Sequence, residues 1–105
     1  MSGYRTLWLM AIFDLPVTTK AERKKAAAFR NNLLDFGFQM VQFSVYMKSV
    51  ASKEQAKTAI NRIKSKTPYY GNVKVLTITD KQFGNIVSLG NRVDKNIRSE
   101  QFLLF

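Results

Sequence analysis

Few residues in this chain could do acid–base or metal chemistry, and Asp14 stands out among them. The sequence has no His and no Cys. That removes the usual neutral-pH base, the serine and cysteine triads, thiolate and disulfide chemistry and most zinc sites. Asp14 closes the apolar run Leu7 to Phe13 and precedes Leu15-Pro16. This puts it at the carboxyl end of a strand, where α/β sheets commonly place functional groups. By alternation it shares a face with Trp8, Met10 and Ile12. A carboxylate at the rim of an apolar face costs free energy unless it is paired, hydrogen-bonded or bound to metal. Metal-assisted phosphodiester cleavage generally needs more than one carboxylate. Asp35, Asp80, Asp94 and the three Glu do not cluster with Asp14 in sequence. Asp14 is then either a turn-former or N-cap ahead of Leu15-Pro16, or one half of a pair completed across a two-fold axis.

Cations are the other chemical resource. Seventeen Lys and Arg against seven Asp and Glu give a net charge of +10, a field that attracts polyanions, either nucleic acid or an anionic membrane surface. The membrane alternative needs an amphipathic basic helix carrying large apolar residues, or a lipidation signal, and neither is obvious. At about 100° per residue, Lys20, Arg23, Lys24 and Arg30 fall within roughly one third of a helix circumference, facing away from Phe29. Lys53, Lys57 and Lys64 form a second stripe. Rows of cations suit a phosphate backbone, because each neutralised phosphate releases a condensed counterion. A recognition helix, a zinc finger and the strand aromatics of the common RNA-binding sheet are all missing, so the expected nucleic-acid contact is sequence-independent.

The elements that must carry these residues follow from periodicity. At 105 residues, with 46% apolar residues including eight Phe and one Trp, the chain fits one domain spanning 1–105 with a real core. The apolar run near the start is too short to cross a bilayer and has no signal-cleavage pattern; the expectation is a cytoplasmic protein without a membrane partner. Leu7 to Phe13 predicts a central strand covered on both faces. Thr18 or Thr19 can cap a helix from about Lys20 to Phe36, with Gly37 as its stop and Ala26, Phe29, Leu33 and Phe36 as its buried stripe. Phe38 to Lys48 predicts one long strand or two joined by a tight turn. Ser52-Lys53-Glu54-Gln55 fits a capping box opening a second helix to about Ser65, with Ala56, Ile60 and Ile63 buried. Pro68 and Gly71-Asn72 punctuate the chain before a strand over Val73 to Thr79. The stretch 80–93 predicts a short helix capped by Asp80.

That order is an α+β, ferredoxin-like βαββαβ arrangement. Its helices cover one face of the sheet, yet the first strand is apolar on both. Phe102-Leu103-Leu104-Phe105 would make an odd frayed tail but a sensible added strand. The expectation is a domain-swapped homodimer with its sheets face to face, residues 99–105 forming an additional C-terminal strand on the partner's sheet. The competing arrangement covers the second face with loops or with the 80–93 segment.

Phe13-Asp14-Leu15-Pro16 after an apolar first strand, a basic first helix ending at Gly37, and Gln42-Phe43-Ser44-Val45-Tyr46 together resemble the small CRISPR-associated spacer-acquisition protein family, often described as metal-dependent endoribonucleases. The resemblance covers essentially the whole chain. Val75 to Phe83 and Phe102 to Phe105 look most like the branch accompanying Cas9-type systems. What it implies is a dimer that binds a protospacer DNA duplex and bridges integrase subunits. It also implies that Asp14 from each protomer approaches the other and holds one Mg²⁺ or Mn²⁺, for cleavage of RNA or DNA. Phe13 stands where many members carry Tyr. Lys20, Arg23, Lys24, Arg30, Lys53 and Lys57 are the expected nucleic-acid contacts, while Ser44 and Tyr46 fit a structural role.

Overall fold

The computed structural model describes residues 6–90. Among these residues four strands and three helices follow in the order β1 (Leu7–Asp14), α1 (Lys20–Asp35), β2 (Gln39–Gln42), β3 (Val45–Val50), α2 (Lys53–Lys66), β4 (Asn72–Thr79) and α3 (Asp80–Gly84). The strands form one antiparallel sheet in the order β2-β3-β1-β4. This is the expected α+β, ferredoxin-like fold, with β1 at the centre. The segment 38–48 resolves into two strands, joined at Phe43-Ser44 with Ser44 in the left-handed region at φ 67° and a bulge between Met40 and Gln42. The predicted strand over 99–105 lies outside the described residues.

Local chemistry fixes the ends of α1. Thr19 is its N-cap: the Glu22 amide donates to Thr19 Oγ1 at 3.0 Å, and Glu22 Oε1 accepts from the Thr18 and Thr19 amides at 2.9 Å each. Such a capping box satisfies donors that the first turn leaves without intrahelical partners. At the other end Gly37 adopts φ 93°, and Lys48 Nζ donates to the Phe36 carbonyl at 2.6 Å. A cation there also complements the helix dipole. A Cβ at position 37 would stand 3.0 Å from that Nζ, so glycine serves both the turn and the approach of Lys48. Ala26, Phe29 and Leu33 are buried as expected, while Phe36 is only partly covered.

Helix α2 starts on Ser52, whose Oγ accepts from the Gln55 amide at 3.1 Å. The returning bond of the predicted capping box is displaced by one residue, Gln55 Oε1 accepting from the Ala51 amide at 2.9 Å. The helix runs one residue beyond Ser65, and Ala59 joins Ala56 and Ile63 in its buried stripe, with Ile60 at the margin. Leu9, Ala11 and Phe13 of β1 pack beneath both helices, Phe13 meeting Phe29 edge-on at 5.1 Å between ring centroids. Among the described residues no helix is long and apolar enough to cross a membrane.

The other sheet face gains a partial cover from α3. Phe83 is buried, its ring stacked on Trp8 at 3.8 Å and 8°. Trp8 Nε1 donates to Asp80 Oδ1 at 2.9 Å, and the Asp80 amide donates to the Thr6 carbonyl at 3.2 Å. One expectation is corrected here. Thr79, not Asp80, caps this helix, in a box with Gln82, which leaves the Asp80 carboxylate for the indole. The helix is short, as expected, and ends at Gly84. Glycine is a poor interior helix residue, and Ile86, Val87 and Leu89 beyond it are exposed, so no apolar stripe holds further turns. Away from Trp8 the face stays open: Ile12 is 39% and Leu76 43% exposed.

Candidate functional site at the carboxyl end of β1

Asp14 is exposed at the last position of β1, in register with Asn72 of β4. The amide of its neighbour Phe13 donates to the Ser44 carbonyl at 3.1 Å, and the Tyr46 and Phe13 ring centroids lie 5.6 Å apart. The left-handed turn at Ser44 aims that carbonyl, so the two sequence motifs, Phe13-Asp14 and Gln42 to Tyr46, meet across β1 and β3. Their shared effect is to fix the strand end that presents Asp14. Burial pushes the Tyr46 phenol above its ordinary pKa, and the charge of Arg30 partly offsets this. Arg30 is half-buried, its guanidinium carbon 5.8 Å from the centroid of Phe43, which is 78% exposed at the hairpin tip.

The predicted cations separate into two sets. Lys20, Arg23 and Lys24 open α1 and sit, exposed, at the Asp14 end of the sheet. Arg23 is partly committed, its Nη1 donating to the Val17 and Thr18 carbonyls at 3.2 and 3.0 Å. Helix α2 runs back toward the same end, because Lys66 leads through a short turn to Asn72, the partner of Asp14. Lys64 and Lys66 therefore arrive beside the α1 start. Lys53 and Lys57 do not: α2 opens after Val50, which pairs with Leu7 at the far end of β1. There they line an open apolar hollow of about 380 Å³ with Leu7, Ala56, Ile60 and Thr77. The helical wheel grouped Lys53, Lys57 and Lys64 as one stripe, which is correct, but that stripe spans the molecule from end to end.

Sequence reasoning passed over one feature of the Asp14 end. Tyr69 and Tyr70 are 91% and 81% exposed, their rings edge-to-face at 4.8 Å. The signal was Pro68-x-x-Gly71, a turn pattern with aromatics at both central positions. Lys25, exposed on α1, lies beside them and was also left out.

Among the described residues, Asp14 is the one carboxylate at this strand end. Among the described residues no group of three or more His, Cys, Asp or Glu could hold a metal ion. The described residues of one copy therefore offer a divalent cation no more than Asp14 at this strand end.

Together, fold and site define a small basic ferredoxin-like protein with a strand-end aspartate flanked by the cationic ends of two antiparallel helices. Comparison with known proteins narrows this class. The family described as CRISPR associated protein Cas2 matches residues 7–86. A CRISPR-associated endoribonuclease Cas2 of Paracidovorax avenae is 44% identical over 107 residues, covering 100% of this chain and 99% of the relative. Another of that name, from Flavobacterium psychrophilum, is 49% identical over 84 residues, 80% of this chain and 73% of its own length. A third, from Ligilactobacillus salivarius, is 42% identical over 91 residues, 87% of this chain and 90% of its own. The chain belongs to the CRISPR-associated Cas2 family.

Proposed function

We propose that this protein is a dimeric scaffold for CRISPR spacer acquisition, binding a protospacer DNA duplex and bridging integrase subunits in the cytoplasm. The observation that carries this reading is the layout of exposed cations. Lys20, Lys24, Lys64 and Lys66 occupy one end of the helical layer, and Lys53 and Lys57 the other. A duplex backbone spaced along that layer would meet several cations without any base being read. The half-open sheet face, with Ile12 and Leu76 exposed, supports dimerisation. Two copies related by a two-fold would double the cationic track, with residues 99–105 exchanged as added strands.

A second reading is a metal-dependent endonuclease acting on RNA or DNA. It is favoured by the exposure of Asp14 at the rim of the same face, and the relatives are named endoribonucleases. In that reading the Asp14 carboxylates of two protomers hold Mg²⁺ or Mn²⁺. The bound ion would activate water and offset charge on a phosphate oxygen.

Asp14→Ala separates the two. In the scaffold reading, spacer integration by the assembled complex persists in the variant, whether or not metal-dependent cleavage by the purified protein is lost. Loss of integration with dimer assembly intact would overturn it.

A further inference from the structure

The turn between α2 and β4 is built to present two aromatic rings. The Gly71 amide donates to the Pro68 carbonyl at 2.9 Å, closing a four-residue turn with Tyr69 and Tyr70 at its central positions. A Cβ on residue 71 would come within 2.7 Å of Leu15 Cδ2 and 3.1 Å of the Pro68 carbonyl oxygen, so glycine lets the turn seat directly on buried Leu15. The base of the turn is anchored while both rings project almost fully into solvent, an expensive use of large side chains unless something covers them. A shallow hollow of about 100 Å³ between the rings and α1 is lined by Leu15, Pro16, Lys25 and Glu22. Glu22 Oε1 is already engaged by two backbone amides. On the helical side of the turn the remaining charge is cationic, Lys25, Lys20 and Lys24 from α1 and Lys64 and Lys66 from α2, while Asp14, in register with Asn72, adds one carboxylate at the strand end. Flat, sequence-tolerant rings beside a row of phosphate-seeking cations are the components of a single-strand binding site.

We propose that Tyr69 and Tyr70 form a stacking site for unpaired nucleobases, such as those at the frayed or single-stranded end of a nucleic acid whose phosphates rest on the adjoining lysines. Tyrosine suits this role because its rigid ring loses little conformational freedom on contact. This inference rests on the nucleic-acid-binding reading above and extends it to an unpaired strand.

The test compares the full-length protein with a Tyr69→Ala/Tyr70→Ala double variant and a Tyr69→Phe/Tyr70→Phe variant by fluorescence anisotropy. The probes are a labelled single-stranded oligothymidine, the same strand carrying abasic sites, and a blunt duplex, all at one fixed salt concentration. The alanine variant should bind the single strand roughly 5- to 150-fold more weakly and the blunt duplex within about twofold of the parent. The phenylalanine variant should retain single-strand affinity. Abasic strand should bind the parent as weakly as intact strand binds the alanine variant. Because both rings are exposed, thermal unfolding midpoints should coincide, excluding a folding defect.

If the parent binds the duplex but the alanine variant holds the single strand undiminished, the stacking site falls and the scaffold reading survives. Indifference of the parent to abasic substitution has the same meaning. If the parent binds none of the probes, both readings fall together. Selective loss of integrase association in the alanine variant, with strand affinity unchanged, would make the rings a protein contact and overturn the proposal.

Discussion

At the scale of single residues, the phenol of Tyr46 is informative because it is buried beside the strand end that carries Asp14. Burial raises its pKa in the folded protein above the ordinary value of 10.0. The folded state therefore holds this proton more tightly than the unfolded state. Its contribution to stability is fully present below about pH 10 and is lost as pH rises through the folded pKa. Tyr46→Phe should flatten the alkaline fall in stability relative to the parent, measured as urea midpoints between pH 8 and 11. Parallel curves for the two proteins would show that Tyr46 does not contribute. Gly71→Ala tests a steric claim. With Leu15 and the Pro68 carbonyl so near, the variant should lose ~1–3 kcal/mol by denaturant titration. Asp14→Ala, at an exposed position, should stay within ~0.5 kcal/mol of the parent in the same assay.

Among the elements, α3 does most to alter the expected picture. Its five residues are far too few to be stable alone, and it persists because Phe83 lies flat on Trp8 while Asp80 receives the indole N–H. Phe83→Ala should cost ~3–5 kcal/mol and shift Trp8 emission toward that of a solvated indole. An unchanged spectrum would mean that the stack does not shield the indole. The long elements were legible in the sequence because each announces itself locally. Leu7 to Phe13 is an unbroken apolar run, Ala26, Phe29 and Leu33 repeat at helical spacing, and Gly37 stops what Thr19 starts. The cover over Trp8 was not legible in detail, since its partner Phe83 is distant in sequence and no periodicity links them. The cap on α3 was misjudged for a related reason: Thr79 and Asp80 are both good caps, and only the tertiary bond to Trp8 decides between them. At the candidate site, Asp14 and the α1 cations could be found from strand alternation and the helical wheel. The arrival of Lys64 beside them depends on the direction of α2, which a wheel does not encode, and the Tyr69-Tyr70 pair sits in a turn without periodicity.

For the whole molecule, the two sheet faces divide the labour. One is sealed by α1 and α2, and the other keeps Ile12 and Leu76 partly exposed. If the dimer forms through that face, Ile12→Arg with Leu76→Arg should shift the protein to monomers in sedimentation velocity while leaving its helical circular dichroism in place. Persistent dimers would move the interface elsewhere. The cation sets make a parallel prediction. Replacing Lys20, Lys24 and Lys64 by Ala should lower the log–log salt dependence of duplex binding by up to ~0.9 per lost phosphate contact, and an unchanged slope would place the duplex away from this end.

One feature of α1 limits how any such duplex is held. Three donors at its start are engaged within the chain: the Thr18 and Thr19 amides by Glu22, and the Glu22 amide by Thr19. The capping box thus fills part of the cradle that elsewhere gives anions a fixed seat. Along the rest of the helix face the phosphate-seeking groups are mainly lysine tips, each on a long flexible stem that can reach one phosphate or its neighbour equally well. Such a surface grips without registering position, so a bound strand can slip along it by a nucleotide at little cost. Whatever measures length or selects an end must then be supplied by rigid groups outside the helix faces.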